Sequence, residues 1–346
     1  MSLFQSIQTS KDISHLLKGA AIIAVVLIHA LTLFPEGVYL NKSYSFLFFA
    51  VNQGLRFCVP AFVFLSGFGL SIKYQSREFN FFQFLKKRAA KLLPLYLLWA
   101  VYLAALAFFP GFNHSLSQRS LVEIMLLGQA DYHLYFVPMI LQMYVLFGIY
   151  RTFSKKLPVW LLLAAVGIQT LVYSYFSLSF NLPSDQIQYL LVLSWIGYFA
   201  LGIWAANNKK LLSPAASKLL LTAGLVSSII YSYLTARKTS NVLQANRFTK
   251  SFTFAYSLGL ISWLTGRSWD GFSRFRKAGF DLIKKLGRNS YFIYLAHTVP
   301  LHFLESRLGP LAAFTVAASY VLVVYLSKVM VNSSYATSIG QEAGGS

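Results

Sequence analysis

The stretch LLKGAAIIAVVLIHALTLF, residues 16–34, carries the strongest structural and functional signal in this chain. It is about as long as a membrane-spanning helix, which needs about 20 apolar residues. A histidine, His29, interrupts it, and the nearest charged residue before that histidine is Lys18. An ionisable side chain at such a position usually faces a protein interior or a wet cavity, because contact with lipid is costly. His29 is therefore a candidate functional residue; the alternative is a neutral histidine hydrogen-bonded to a neighbouring helix.

The composition of the whole chain indicates a membrane protein. Its 346 residues are 56% hydrophobic and 12% charged, whereas a soluble domain has about 25% charged residues. Backbone polar groups in lipid must be satisfied within the chain, so we predict an all-α, polytopic helical bundle with about ten transmembrane helices. A β-barrel is disfavoured because the sequence lacks alternating ten-residue segments. The ten apolar runs are residues 16–34, 44–72, 92–109, 134–150, 159–178, 187–206, 214–234, 250–266, 290–306 and 310–331.

The second run is too long for one straight helix, so we expect it to tilt or to begin at the interface. The first run lacks a small-residue cleavage site, and we interpret it as a retained span rather than a signal peptide. We predict one membrane domain, residues 1–331. The polar, Gly/Ser-rich residues 332–346 predict a disordered tail or a sequence added by cloning. The chain has one cysteine, Cys58, so it cannot form an intrachain disulfide.

The distribution of basic residues predicts the orientation of the bundle. With the N-terminus in the cytoplasm, 22 of the 30 Lys and Arg residues lie in cytoplasmic segments and seven lie outside. This bias follows the positive-inside rule and places both termini inside. Only the loop after the seventh run, with four basic residues, fits poorly: either it binds an anionic group outside or a predicted span is misplaced. Nucleic-acid binding is disfavoured, because the net charge of +20 is distributed as a topology signal.

Basic residues also occur where they can bind a ligand. The sequence FLKKRAAKLLPLYLLW, residues 84–99, places Lys87, Arg88 and Lys91 just before an apolar run. Near a helix N-terminus these cations can bind phosphate with the help of backbone N–H groups; the alternative is that they only anchor the span against anionic lipid. Arg56 lies within the second run, where its guanidinium needs a structural partner or a bound ligand.

Small and titratable residues complete the set of candidates. Ser66 can act as a nucleophile only beside a base, and Gly67 and Gly69 permit close contact between helices. His133 follows Asp131 at the entrance to the fourth run, and His297 lies inside the ninth. A carboxylate can orient an imidazole and raise its basicity. The spacing of these side chains matches no metal signature, so we expect no metal.

Five short elements, taken in order, resemble the acyltransferase-3 family of integral-membrane O-acyltransferases. They are Lys18 with His29 eleven residues later, FVFLSGF (62–68), KRAAKLLPLY (87–96), HLYF (133–136) and SYFIYLAH (290–297). The resemblance covers about residues 10–331. The family's pattern has arginine where this chain has Lys18 and Lys91, and lysine keeps the charge but lacks the bidentate fork.

The resemblance implies transfer of an acyl group from cytoplasmic acyl-CoA, usually acetyl-CoA, to a hydroxyl of a cell-surface carbohydrate or glycolipid. It implies a multi-pass protein in the lipid bilayer of a bacterial plasma membrane. The catalytic candidates are His29, as general base, with His133 and His297. The donor-binding candidates are Lys18, Arg56, Lys87, Arg88 and Lys91. Two other classes stay open, a polysaccharide or lipid exporter and a catalytically inactive membrane protein.

Overall fold

The computed structural model describes residues 7–32, 34, 37, 40, 45–106, 120–178, 185–208, 211–266 and 274–305. These ranges form a bundle of helices and contain no strand. The tenth predicted run and the tail, residues 310–346, lie outside the described residues. The α-helices are α1 (Ile7–Leu31), α2 (Ser45–Leu55), α3 (Cys58–Tyr74), α4 (Phe81–Leu106), α5 (Leu121–Leu127), α6 (Phe136–Phe153), α7 (Val159–Leu178), α8 (Asp185–Leu190), α9 (Ile196–Asn207), α10 (Pro214–Thr239), α11 (Val242–Ala245), α12 (Ser251–Thr265), α13 (Arg274–Arg288), α14 (Ser290–Ala296) and α15 (Thr298–Glu305).

The predicted helical membrane bundle is confirmed. Six helical segments of the described ranges are long and apolar enough to cross a membrane. They are Asp12–Leu31, Ser45–Tyr74, Phe81–Leu106, Phe136–Phe153, Val159–Phe176 and Pro214–Thr239. The eighth predicted run forms the shorter helix α12, and the sixth and ninth runs are each divided between helices. The total of ten spans and the cytoplasmic placement of both termini stay predictions.

The long second run is broken into two helices rather than only tilted. Helix α2 ends at Leu55 and α3 begins at Cys58. Pro60 has no N–H to donate to the carbonyl of Arg56, so the helical ladder cannot continue through this point. The hydroxyl of Tyr256, on α12, donates a hydrogen bond to the Gly54 carbonyl at the end of α2. A neighbouring helix therefore satisfies a carbonyl at the break, as irregular backbone within a membrane requires.

The sixth run is interrupted in the same manner. A short 3₁₀ helix, Val192–Ser194, separates α8 from α9. The buried side chain of Gln169, on α7, accepts hydrogen bonds from the backbone N–H groups of Gly197 (2.8 Å) and Tyr198 (3.4 Å). The hydroxyl of Tyr173 donates to the carbonyl of Ser194 at 2.7 Å. Two side chains of one helix thus supply the bonds that the interrupted helix leaves open.

The start of α4 corrects one prediction. The helix begins at Phe81, about three turns before the apolar run, so Arg88 lies inside the helix and not at its N-terminus. Asn80 sets this start, because its side-chain oxygen accepts from the Gln83 N–H at 2.9 Å. The backbone N–H groups near Arg88 are bonded within the helix. The expectation that they assist phosphate binding is therefore wrong, and only the side chains can serve.

Helix α1 lies inside the bundle, where it contacts α2, α3, α13, α14 and α15. Helices α3 and α9 cross closely at two glycines. A Cβ atom at Gly67 would lie 2.3 Å from the carbonyl oxygen of Phe199, and one at Gly202 would lie 2.1 Å from that of Phe64. The role of Gly67 in close helix contact is confirmed. The same prediction for Gly69 is wrong, since no atom of another described helix lies within 4 Å of where its Cβ would be.

Candidate active site

The three histidines singled out in the sequence meet at one point. His29 lies near the end of α1, His133 lies in the loop before α6, and His297 joins α14 to α15. The ring centroids of His29 and His297 are 5.0 Å apart, those of His133 and His297 are 4.8 Å apart, and those of His29 and His133 are 6.5 Å apart. His133 and His297 are buried and His29 is half-buried. Imidazoles can give protons to a bound substrate or take them from it, so this cluster is a candidate for acid–base chemistry.

A repeated local signal positions two of these histidines and Arg56. The three residues Arg56, His133 and His297 each lie a few positions before a helix whose third residue is proline. Proline is tolerated in the first turn of a helix but stops the preceding residues from continuing the same helix. Arg56, His133 and His297 therefore lie at helix boundaries, between one helix and the next. The three helix starts are Cys58-Val59-Pro60, Phe136-Val137-Pro138 and Thr298-Val299-Pro300.

Hydrogen bonds fix the orientation of the buried imidazoles. His297 Nδ1 lies 2.7 Å from the carbonyl oxygen of Tyr294. A carbonyl only accepts, so Nδ1 carries the proton and Nε2 holds the lone pair of the neutral ring. The hydroxyl of Tyr294 donates to the backbone carbonyl of His133. Asp131 is fully buried, and its Oδ2 lies 3.5 Å from His133 Nδ1. This carboxylate is placed to stabilise a positive charge on His133.

The loop that carries Asp131 and His133 is held at its start by Gly128. This residue ends the short helix α5 with φ +68°, in the left-handed region that favours glycine. A Cβ atom at Gly128 would lie 2.6 Å from the carbonyl oxygen of Leu134. The beginning of α5 is defined by a capping box between Ser120 and Glu123. Gly128 was not predicted as a site residue from the sequence, although glycine after a capped apolar helix is a recognisable stop signal.

A cavity of about 470 Å³ opens beside the histidines. Its volume is within the range of small-molecule sites, and most of its wall is apolar or aromatic. His297 contacts both other imidazoles but is not one of the residues that line it. The polar lining includes His29, Arg56, His133, Asn246, Ser290 and Tyr291.

Three of the predicted donor-binding cations lie together near the N-terminal half of α1. Lys18 is close enough to Lys91 and Arg88 for their charges to repel one another. The Arg88 guanidinium lies 5.5–5.9 Å from the ring centroids of Tyr74, Phe84 and Tyr144. Its Nε makes no hydrogen bond to the residues that the structure describes. A bound anion would relieve the repulsion and satisfy these donors.

Lys87 lies in a different pocket from the cavity beside the histidines. It lines a small pocket of about 160 Å³ together with Lys73 and Arg77. The positive charges of Arg88 and Lys87 also act on Lys73. Basic side chains thus extend from Lys18, on α1, to the loop between α3 and α4.

Tyr291 connects the basic residues with the cavity. Its ring lines the cavity, and its hydroxyl donates to the carbonyl of Leu92 at 2.8 Å. Leu92 follows Lys91 directly on α4. Along α1, Lys18 and His29 are separated by about 16 Å, at 1.5 Å per residue. A long, thin ligand bound at the cations has only this distance to cover to reach the histidines.

Arg56 lies apart from the other predicted donor-binding residues. It lines the cavity, and its Nε donates to Asn52 Oδ1 at 2.9 Å. Its neighbours form a buried polar network that the sequence analysis missed: Gln53, fully buried, donates to Asn246 Oδ1 at 2.9 Å and accepts from Lys250 Nζ at 3.1 Å. Lys250 is only 4% exposed. Lys250 is one of the four basic residues, with Arg237, Lys238 and Arg247, that follow the seventh predicted run and are expected on the outer side. Its burial accounts for part of the excess of basic residues in that loop.

The remaining candidates have structural positions. The Ser66 hydroxyl donates to the Phe62 carbonyl within α3 at 2.9 Å and does not line the cavity, so nothing here favours it as a nucleophile. Among the residues that the structure describes, no group of three His, Cys, Asp or Glu side chains is arranged to hold a metal ion.

Comparison with known proteins identifies the class of this one. The family model described as an acyltransferase domain matches residues 13–331. The match spans nearly the whole chain, so the protein belongs to this family, the acyltransferase-3 family that its five sequence elements resemble. Comparisons with curated proteins and with solved structures gave no match. The protein is a multi-pass membrane acyltransferase.

Proposed function

We propose that this protein transfers an acetyl or other acyl group from cytoplasmic acyl-CoA to a hydroxyl of a cell-surface carbohydrate or glycolipid. The observation that carries the proposal is the cavity beside the three histidines, whose lining residue Tyr291 is hydrogen-bonded to Leu92, next to Lys91 on α4. The basic residues can bind an anionic acyl donor, and the histidines beside the cavity can transfer protons. The proposed location is a bacterial plasma membrane.

The donor binds through its phosphates. Coenzyme A is a long polyanion, and Lys18, Arg88 and Lys91 supply three neighbouring cations at one end of the bundle. Arg88 offers a planar fork for phosphate, whereas the two lysines act as point charges. Lys87 extends the basic surface toward a second pocket. The thioester arm then runs beside α1 toward His29.

The transfer itself needs a proton acceptor. The acceptor hydroxyl gives its proton to the His29 imidazole as its oxygen bonds to the thioester carbonyl carbon. The carbon–sulfur bond breaks, and the CoA thiolate leaves and takes up the proton. The Asp131 carboxylate, 3.5 Å from His133 Nδ1, stabilises the positive charge that the histidine cluster takes up with this proton. His297 positions both rings through its contacts with them.

Binding of acetyl-CoA to the purified protein tests the donor site. Arg88→Gln removes the guanidinium beside Lys18, and we expect acetyl-CoA affinity to fall about tenfold or more, because hydrogen bonds to charged groups are the strong ones. Lys86→Gln is the matched control, since this neighbouring lysine is exposed on the same helix and lines neither pocket. Equal affinity of Arg88→Gln and the parent would leave these cations as membrane anchors only.

Mass spectrometry of the host's surface glycans separates an acyltransferase from an exporter. Deletion of this protein should remove acyl groups from a glycan whose amount is unchanged. Loss of the glycan itself would favour an exporter. An unchanged glycan with unchanged acylation would favour an inactive membrane protein.

A further inference from the structure

Arg56 provides a fixed cation on the wall of the cavity. It lines the cavity together with Val25, Ile28 and His29 of α1, whereas Lys18, Arg88 and Lys91 are not among the lining residues. The side chain is 7% exposed and lines the cavity. Its Nε is bonded to Asn52, and its guanidinium carbon lies 4.2 Å from the centroid of the Phe248 ring, which also lines the cavity. These two contacts hold the guanidinium in one position.

A second basic side chain, Lys250, is bonded to Gln53, which in turn contacts the cavity-lining residue Asn246. Lys250 Nζ donates to Gln53 Oε1 (3.1 Å), Ser232 Oγ (2.6 Å) and the Ala245 carbonyl (2.8 Å). Three oxygens match the three N–H groups of an ammonium, and all three are neutral. The charge of Arg56 acts on Lys250 across the network. In this buried location the positive charge of Arg56 is weakly screened by water and salt.

Asn246 completes the polar wall. Its Oδ1 accepts from Gln53 Nε2 at 2.9 Å, and the residue lines the cavity beside Phe248. Because the oxygen is already used, the amide N–H groups are the part of Asn246 that can serve a ligand. A guanidinium and an amide donor on one wall are suited to a carboxylate or phosphate, which accept several hydrogen bonds at once.

We propose that the acyl acceptor carries an anionic group, a carboxylate or a phosphate, that binds to Arg56 and Asn246. This inference rests on the proposed function, because His29 and His133 line the same cavity as these two residues. The anionic group holds the acceptor at the wall, and the hydroxyl to be acylated lies toward the histidines. Arg56 is thereby assigned to the acceptor and not to the donor.

Binding measured without acyl-CoA tests this assignment independently of catalysis. The probes are glucose, glucuronate and glucose 6-phosphate, added to the purified full-length protein, with thermal stabilisation or calorimetry as the readout. At least one anionic sugar should bind about tenfold or more tightly than glucose. The comparison of glucuronate with glucose 6-phosphate distinguishes a carboxylate from a phosphate. Equal binding of all three sugars, or no binding by either anion, would overturn the inference.

Two variants locate the site. Asn246→Asp keeps the oxygen that accepts from Gln53 but adds a negative charge beside Arg56, so the preference for anionic sugars should disappear. Arg56→Gln should have the same effect, and if it fails to fold, Asn246→Asp and the parent still decide the question. Arg88→Gln is the control, because it should weaken acetyl-CoA binding without changing the preference among sugars. A preference that survives in Asn246→Asp would also overturn the inference.

The same proteins keep the two proposals apart. Acetyl transfer from acetyl-CoA to glucose and glucuronate at equal rates would leave the proposed function intact and refute the anionic acceptor. If the protein binds anionic sugars through Asn246 but does not bind acetyl-CoA, the proposed acceptor site would be supported and the proposed use of acyl-CoA as the donor would be refuted.

Discussion

Replacement of His29 by glutamine separates chemistry from packing at the histidine cluster. Glutamine keeps a hydrogen-bond donor and acceptor but cannot take up a proton near neutral pH. We expect acyl transfer to fall about 10²- to 10⁴-fold, the usual contribution of a general base. At about 1.36 kcal/mol per factor of ten, this loss equals roughly 3–5 kcal/mol of transition-state stabilisation.

The structure limits how much of this loss packing can explain. The His29 ring centroid lies 4.8 Å from that of Tyr132 and 5.0 Å from that of His297. If each ring pair contributes about 0.5–1.5 kcal/mol, loss of both lowers the free energy of unfolding by about 1–3 kcal/mol. Tyr132→Leu is the matched control, since it removes one of these ring contacts and leaves the imidazole in place. Its effect on the transfer rate should be much smaller than that of His29→Gln.

The assay is transfer of radiolabelled acetyl groups from acetyl-CoA to the glycans of host membranes. Each rate is divided by the amount of folded protein, which size-exclusion chromatography and thermal unfolding report. Acetyl-CoA affinity should be nearly unchanged in His29→Gln, because Lys18 and the cations beside it lie about 16 Å from His29 along α1. A folded His29→Gln protein with a near-parental transfer rate would refute the role of His29 as base. A loss of the same size in Tyr132→Leu would assign the effect to packing.

Three further predictions concern the bundle itself. Gly67→Ala should lower the free energy of unfolding by about 1–3 kcal/mol, the range for overpacking, whereas Gly69→Ala should leave thermal stability unchanged; equal effects of the two in a thermal unfolding series would contradict the close helix contact. Gln169→Leu should cost about 1–3 kcal/mol for each backbone N–H that loses its acceptor, and a variant as stable as the parent in chemical unfolding would show that the interrupted helix does not need this bond. In a background without the native cysteine, Lys155→Cys should react with a membrane-impermeant thiol reagent from the cytoplasmic side and Lys238→Cys from the outer side; the reverse pattern would invert the topology.

The class of protein and the histidines were predictable from the sequence because both depend on local properties. An apolar run of membrane length is mainly helical in lipid, since a helix satisfies its backbone hydrogen bonds within the run. An ionisable residue in or beside such a run is unusual at any single position, so His29, His133 and His297 could each be chosen without knowledge of contacts. The five elements of the acyltransferase-3 resemblance added a function to these residues.

The roles of the basic residues were less predictable, because the sequence does not show whether a given Lys or Arg is buried or exposed. Lys250 was predicted only to follow the seventh run on the outer side, and the sequence did not show that it is buried against Gln53, almost two hundred residues away in the chain. Arg56 was grouped with the cations of α4, yet it lies on the wall of the histidine cavity. The start of α4 at Phe81 was also missed, since the polar first turns of that helix obscured its continuity with the apolar run.

The sequence by itself therefore determined that this chain is a helical membrane protein and that it resembles the acyltransferase-3 family. It also indicated which titratable residues are candidates for the active site. Only the tertiary structure decided that the three histidines share one cluster, that a cavity joins them to Arg56 and Asn246, and that Lys18, Arg88 and Lys91 lie together elsewhere. The physical reason is that hydrophobic length and helical periodicity act over one or a few turns. The distance between residues more than a hundred positions apart depends on where helices break and how they pack.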